Sequence, residues 1–136
     1  MPIRYLLDTN IASYAIKGNV PQVRQKLLSV PISEVGISVI TEAELRFGVA
    51  RGHVSRHLRN TVEEFLLSAE ILPWDSLAAQ HYATLRGALE DAGTPMSNLD
   101  MMIAAQALAA GVVLVTHDRV FHRVKHLKTD DWTKLL

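Results

Sequence analysis

The chain of 136 residues contains no cysteine. This absence excludes a disulfide scaffold, a thiolate nucleophile, a cysteine-ligated zinc site and an iron–sulfur cluster. No apolar run approaches the roughly 18–20 residues that a membrane-spanning helix needs. The N-terminal MPIRYLLD reaches an acidic residue after only three apolar ones, so we expect no secretory signal and a soluble, cytoplasmic protein.

Net charge is also absent, because 14 Lys and Arg balance 14 Asp and Glu. The balance is uneven along the chain: residues 1–60 carry eight basic and four acidic residues, whereas residues 61–100 carry one basic and seven acidic. This pattern differs from that of a wholly basic nucleic-acid-binding protein. The pattern is compatible with a basic face beside an acidic cleft. The sequence also lacks the GxSxG, P-loop and GxGxxG motifs.

Short apolar runs alternate with stretches of helical periodicity. The sequence predicts strands at residues 3–7, 35–40, 71–72, 112–115 and 127–129, with paired helices between the first four. Thr41 and Glu44 have the spacing of a capping box, which predicts that a helix begins at Thr41. This order predicts an α/β fold with a largely parallel sheet of four to five strands, in one domain over residues 1–136.

Four acidic residues are expected at one edge of that sheet. Asp8 follows the first strand, Glu44 the second, and Asp118 the strand at residues 112–115. Asp100 begins a helix that must run antiparallel to the next strand to make a right-handed crossover, so its start lies at the same edge. Ligands of open α/β sheets bind at the carboxyl ends of the strands. The sequence therefore predicts a site built from these carboxylates.

Crowded carboxylates repel one another and raise each other's pKa, unless a cation lies between them. Oxygen ligands favour Mg²⁺ or Mn²⁺, which supports in-line displacement at a phosphodiester. Metal-dependent nuclease chemistry is therefore one hypothesis. Alternatively, each acid has a structural role only: Asp8 as a helix cap, Glu44 as half of a capping box, Asp118 in a turn and Asp100 on a helix dipole.

The histidines suggest a different metal site. His53 and His57, and likewise His122 and His126, have the i,i+4 spacing that can hold zinc on a helix face. Neither pair contains the Glu of the zinc-protease motif or has an evident third ligand. We expect His117 to point away from the acidic site.

Five segments resemble, in order, the motifs of PIN domains, specifically the VapC-type toxins of bacterial toxin–antitoxin modules. The resemblance covers essentially the whole chain and implies a PIN-like three-layer α/β/α fold. The segments are YLLDTNI (5–11), ISVITEAELRFGV (37–49), GTPMSNLDMMIAAQAL (93–108), VVLVTHDRVF (112–121) and DDW (130–132).

The resemblance implies a Mg²⁺- or Mn²⁺-dependent endoribonuclease that cuts structured RNA, such as a tRNA, and inhibits translation. It also implies a homodimer, a cognate VapB-type antitoxin, assembly on DNA through that antitoxin, and no association with membranes. We expect the apolar surface of the first helices and of residues 54–67 to contact the antitoxin or a second copy.

Carried onto this sequence, the resemblance makes Asp8 and Asp100 the principal metal ligands. Glu44 and Asp118 would hold a second ion or a water and position the nucleophile. The family Glu matches Glu44 rather than Glu42, because Glu44 directly precedes Leu45. Supporting roles are implied for Thr116 and Asn10, and candidate contacts to the RNA backbone are Arg46, Arg51, Arg56 and Arg59.

Two other functions compete with this interpretation. An aspartyl-phosphate phosphatase would also place an Asp after its first strand, but Asn10 stands where that chemistry needs a second acid. A PIN-like module that binds RNA or protein without cutting typically loses one or more acids, whereas all four are present here. Metal-dependent cleavage of RNA by the pure protein separates these alternatives.

Overall fold

The computed structural model of the chain describes residues 2–134, which form a five-stranded sheet with helices on both faces. No helix in residues 2–134 is long and apolar enough to cross a membrane. Two 3₁₀ turns lie at Ile32–Glu34 and Arg119–Arg123. The strands are β1 (Tyr5–Leu7), β2 (Val35–Ser38), β3 (Glu70–Leu72), β4 (Val113–Val115) and β5 (Thr129–Asp130), and the helices are α1 (Thr9–Lys17), α2 (Pro21–Ser29), α3 (Val39–Ala50), α4 (Arg56–Ser68), α5 (Ser76–Ala92) and α6 (Asn98–Ala110).

The sheet has the order β3-β2-β1-β4-β5, and every pair of neighbouring strands is parallel. β1 is central: Leu7 lies opposite Ile37 of β2 on one side and Val115 of β4 on the other. The carboxyl ends of all five strands therefore share one edge. The predicted α/β fold with a parallel sheet is confirmed.

Two apolar cores flank the sheet because successive side chains of a strand point to opposite faces. Leu6 and Leu114 pack with α5 and α6 on one face. Leu7 and Val115 pack with α1, α2 and α4 on the other. This division produces the expected three layers and fixes which helix ends surround the carboxyl edge.

The N-cap of the helix that carries Glu44 lies three residues earlier than the predicted capping box at Thr41. Its N-cap is Ser38, whose hydroxyl accepts a hydrogen bond from the Ile40 amide at 3.1 Å. The predicted capping box at Thr41 is wrong, because Thr41 lies fully buried inside the helix. Of the strand predicted at residues 35–40, only the first four residues form a strand in the structure.

A buried polar network ties α6 to the middle of the sheet. Ser38 Oγ donates to Gln106 Oε1 at 2.9 Å, and Gln106 Nε2 donates to the carbonyl of Pro73 at 3.1 Å. Ser38 is fully buried and Gln106 almost so. The same serine therefore caps α3 and holds α6.

Smaller differences from the prediction lie at element ends. The last strand is Thr129–Asp130 rather than residues 127–129. Neither histidine pair shares a helix face: His53 precedes α4, and His126 follows the second 3₁₀ turn with a left-handed φ of 68°. Within residues 2–134, no three His, Asp or Glu side chains are arranged to hold one metal ion.

Candidate active site at the carboxyl edge of the sheet

Asp8 lies between β1 and α1 and is only 4% exposed. Its amide donates to the carbonyl of Val115 at 3.0 Å, which continues the pairing of β1 with β4. Its side chain caps α1, because Oδ1 accepts from the Ile11 amide at 2.9 Å. The capping role anticipated from the sequence is therefore real. Capping uses one lone pair of Oδ1, so the remaining lone pairs of this buried carboxylate can bind a cation.

Asp100 lies in the first turn of α6 and is half-buried. Ser97 caps this helix by accepting from the Asp100 amide at 3.2 Å. The charge of Asp100 acts on Asp8, and the charge of Asp118 acts on Asp100. These three carboxylates therefore interact across the carboxyl edge.

Thr116 directly follows β4 and acts on two of the acids. It is buried, and its hydroxyl lowers the pKa of Asp8. Thr116 Oγ1 also accepts from the Asp118 amide at 3.0 Å. Asp118 itself is exposed, and its Oδ1 caps the following 3₁₀ turn by accepting from Val120.

Glu44 is joined to the Asp8 segment through Thr9. The Thr9 hydroxyl donates to Glu44 Oε1 at 2.6 Å and lies 3.2 Å from Thr41 Oγ1. Because the single proton of Thr9 is directed at Glu44, Thr41 is the donor of that second bond. Sequence reasoning assigned the supporting role in this segment to Asn10, which is exposed, and overlooked Thr9.

His117 acts on the acids electrostatically. Its charge lowers the pKa of Asp8, and its side chain is exposed. Its ring packs against that of Tyr14 with centroids 5.6 Å apart. A signal was available in the sequence, because His117 stands between two residues that the motif already implicated.

Burial raises the pKa of Asp8, while the Thr116 hydroxyl, the Ile11 amide and His117 lower it and Asp100 raises it further. Burial likewise raises the pKa of Asp100, with Ser97 lowering it and Asp118 raising it. The sequence attributed raised values to mutual repulsion. The direction is confirmed, but loss of hydration is the larger cause.

The donor set suits a hard divalent cation. Asp8 and Asp100 both lie at this edge, and Mg²⁺ needs only one or two carboxylates because it keeps several of its waters. A cation beside Asp8 would offset the cost of burying its charge. The residues present therefore fit such an ion, which Asp8 and Asp100 would hold.

The basic residues proposed for RNA contact are not equivalent. Arg46 is engaged on the surface of α3 and α4, where it pairs with Glu42 at 2.8 Å and Glu63 at 3.1 Å. The guanidinium of Arg51 lies 5.9 Å from the ring centroid of Phe47. Arg46 is therefore less available to a phosphate than its position in the sequence suggested.

The PIN domain profile matches residues 5–127 of this chain. The chain belongs to the PIN-domain family. It is 32% identical to the tRNA(fMet)-specific endonuclease VapC of Shigella flexneri, over 96% of this chain and 99% of that protein. Its fold matches the crystal structure of DNA-bound VapBC from Salmonella typhimurium with a TM-score of 0.88, at 33% identity over 96% of this chain and 98% of that one.

VapBC2 from Rickettsia felis, bound to a fragment of its promoter DNA, matches with a TM-score of 0.87 at 30% identity, over 96% of this chain and 99% of that chain. The chain is thus a PIN-domain ribonuclease of the VapC type. Nucleases of this kind depend in general on a divalent metal. The phosphatase alternative is set aside by this family assignment.

Proposed function

We propose that this chain is the toxin of a type II toxin–antitoxin module, a single PIN domain that acts in the cytoplasm by cutting a tRNA and thereby stops translation. The observation that carries the proposal is the buried carboxylate of Asp8. Burial and the charge of Asp100 both disfavour the ionised form of this carboxylate and so raise its pKa. The endonuclease of Shigella flexneri, named as specific for tRNA(fMet), supports a tRNA as the substrate.

Asp8 and Asp100 would hold Mg²⁺ or Mn²⁺ through their carboxylates. When bound, the ion supplies charge neutralisation at the scissile phosphate and activation of water. The Ile11 amide keeps the Asp8 carboxylate in one orientation, and the Thr116 hydroxyl favours its ionised form by lowering its pKa. Asp100 is placed by the first turn of α6, which Ser97 caps.

Glu44 and Asp118 would complete the site by positioning the attacking water or a second ion. Thr9 occupies one lone pair of Glu44 Oε1 and so orients the carboxylate, whose other oxygen, Oε2, is left to accept. Thr116 fixes the backbone at Asp118. Each of these residues would act by holding the attacking water or the second ion in a fixed position, which a rigid edge of parallel strands favours.

An antitoxin and a second copy of the chain are the proposed partners. Leu28, Phe47 and Leu67 are large apolar side chains that are 81%, 65% and 86% exposed. They lie on α2, α3 and α4, in the region where the sequence predicted a contact surface. The solved relatives from Salmonella and Rickettsia are VapBC complexes bound to DNA, which supports a VapB-type antitoxin that brings the toxin to DNA.

The test is expression of wild type and Asp8→Asn in a bacterial host, followed by incubation of each purified protein with total tRNA. We expect growth arrest and site-specific cleavage from wild type with Mg²⁺ or Mn²⁺, none in chelator, and little from Asp8→Asn. Glu42→Gln is the matched control, since Glu42 pairs with Arg46 on the helix surface. Cleavage that is indifferent to chelator and to Asp8→Asn would contradict the proposal.

A further inference from the structure

A cavity of about 550 Å³ opens at the carboxyl ends of β4 and β5, beside the acids. Thr116 and Asp118 line it, so it is continuous with the candidate active site. This volume lies within the usual range for small-ligand pockets and accommodates one nucleotide. The rest of its lining comes from His117, from the 3₁₀ turn after β4, and from β5 and the segment that follows it.

Two cationic side chains line this cavity without a carboxylate partner. Arg119 and Lys134 make no ion pair in the part of the chain from residue 2 to residue 134, whereas Arg4, Arg46 and Arg86 do. Unpaired cations at a cavity wall are available to the phosphate of a nucleotide. His122 adds a third nitrogen donor to the same wall.

Two carboxylates beyond Asp118 also face the cavity, and each is held by its own segment. Trp132 Nε1 donates to Asp130 Oδ2 at 3.1 Å. Asp131 Oδ1 accepts from the Thr133 amide at 2.9 Å and from its hydroxyl at 2.6 Å. The other oxygen of each aspartate remains able to accept a hydrogen bond, from a hydroxyl or an exocyclic amine.

This mixture of charges distinguishes the cavity from a simple anion site. A bare phosphate would meet three carboxylates for two cations. A nucleotide carries a phosphate for the cations, a ribose hydroxyl for a carboxylate, and a base with a flat face. His117 supplies a planar surface at the cavity wall, held by its packing against Tyr14. Stacking on such rings and contacts to the 2′-hydroxyl are how proteins recognise unpaired RNA bases.

We propose that this cavity is a subsite for one unpaired ribonucleotide of the RNA substrate, next to the nucleotide at which the strand is cut. Arg119 and Lys134 bind its phosphate, and Asp131 accepts from its 2′-hydroxyl. The subsite lets the protein select RNA over DNA and one base over another. The inference rests on the proposed ribonuclease function and assigns part of its substrate specificity.

The test uses nucleotide binding rather than cleavage. The chain has two tryptophans, and the Trp132 indole bonds to Asp130 at the cavity, whereas the Trp74 indole donates to the carbonyl of Met102. In a ¹⁵N-labelled sample with chelator, titration with each ribonucleoside 5′-monophosphate should shift the Trp132 indole signal saturably and leave the Trp74 signal in place. A Trp74→Phe variant assigns the two signals.

Three comparisons make the result decisive. The 2′-deoxy nucleotides should bind roughly threefold to tenfold more weakly, the scale of one lost hydrogen bond. Lys134→Gln should weaken binding, while Lys128→Gln, an exposed lysine outside the cavity, should not. Inorganic phosphate that shifts Trp132 as well as a nucleotide does would show a plain anion site. That outcome, or no shift at all, would overturn the inference.

Kinetics on RNA separates this inference from the proposed function. Lys134→Gln should raise KM for the cleaved tRNA severalfold with little change in kcat, because Lys134 touches a flanking nucleotide and not the scissile phosphate. If Asp8→Asn cuts normally but nucleotides still bind, the proposed active site fails while the subsite stands. If Lys134→Gln weakens antitoxin binding and leaves nucleotide binding and KM unchanged, the cavity is a partner contact and the inference is wrong.

Discussion

The hydroxyl of Thr9 donates a 2.6 Å hydrogen bond to Oε1 of Glu44, a residue 35 positions away in the sequence. The bond spans from the first turn of α1 to the middle of α3. Thr41 donates to Thr9 in turn, so one chain of hydroxyls ends on the carboxylate. Through these hydrogen bonds, α1, the helix that Asp8 caps, sets the orientation of Glu44.

Removal of that hydroxyl should impair catalysis more than folding. Thr9→Val keeps the shape of the side chain but cannot donate to Glu44, and we expect kcat to fall about 10-fold or more, the usual scale for partners of ligating groups. The melting temperature should change little, since Thr9 is only partly buried.

Thr9→Ser is the matched control, because it restores the hydroxyl without the methyl group. Its kcat should return close to that of wild type, and its dependence on Mn²⁺ concentration should match. If Thr9→Val keeps the kcat of wild type while Thr9→Ser loses it, then the methyl packing matters and the hydrogen bond does not.

Glu44 and Glu42 provide a second comparison on one helix. Glu44→Gln should lower the rate of RNA cleavage strongly, about 100-fold if Glu44 positions the attacking water. Glu42→Gln should retain nearly full rate, because Glu42 pairs with Arg46 away from the acids. Single-turnover cleavage of tRNA measures both. Equal losses would show that the assignment of Glu44 to the site is mistaken.

The pKa of Asp8 makes a prediction about stability. Because burial raises this pKa in the folded state above its unfolded value, the folded protein binds more protons, and the associated stability is lost as pH rises through the raised value. Asp8→Asn keeps an N-cap of equal quality but has no charge to bury.

In chelator at neutral pH, Asp8→Asn should therefore be more stable than wild type by about 1 kcal/mol, the scale of an uncompensated buried polar group. Thermal melts at a series of pH values from 4 to about 7 test this, and the difference between the two proteins should grow as pH rises. A constant difference would mean that the pKa of Asp8 is the same in the folded and the unfolded state.

Metal should stabilise wild type more than a variant that lacks one proposed ligand. An ion that binds only the folded protein stabilises it by an amount that grows with the logarithm of its concentration. Wild type should therefore gain more in melting temperature from Mn²⁺ than Asp100→Asn, which lacks one proposed ligand. Asp131→Asn is the control for nonspecific binding to an acidic surface and should gain as much as wild type. Equal gains in all three proteins would place the ion elsewhere.

The buried pair of Ser38 and Gln106 should affect stability most. Ser38→Ala removes the N-cap of α3 and leaves Gln106 Oε1 without its donor, which should cost about 2–3 kcal/mol in the free energy of unfolding. Chemical denaturation measures the loss. Ser29→Ala is a control, since its hydroxyl bonds to the carbonyl of Lys26 at an exposed site and should cost well under 1 kcal/mol.

Much of this fold was predictable from local signals. The parallel sheet followed from short apolar runs separated by helical periodicity, and α5 begins after Asp75, a residue type that favours the N-cap position. The start of α3 was misplaced because Ser38 lies inside an apolar run that is compatible with either a strand or a helix. Periodicity cannot distinguish the two in so few residues.

The contacts within the site were less accessible to sequence reasoning. The order of strands and helices placed Asp8, Asp100 and Asp118 at one edge, because topology alone determines it. The bond from Thr9 to Glu44 depends on how α1 packs against α3, which no local pattern encodes. The raised pKa of Asp8 depends on how deeply the residue is buried, and that depth is set by the whole sheet.

The central position of β1 has a consequence for synthesis in the cell. β1 is completed on one side by β4, which is translated much later, and the Asp8 amide bonds to Val115 at the end of that strand. Asp8 therefore meets Thr116, Asp100 and Asp118 only after β4 and the residues that follow it have been translated. A nascent chain that stops before β4 lacks the assembled acids, so the ribosome that makes this nuclease is not exposed to its activity until β4 has been made.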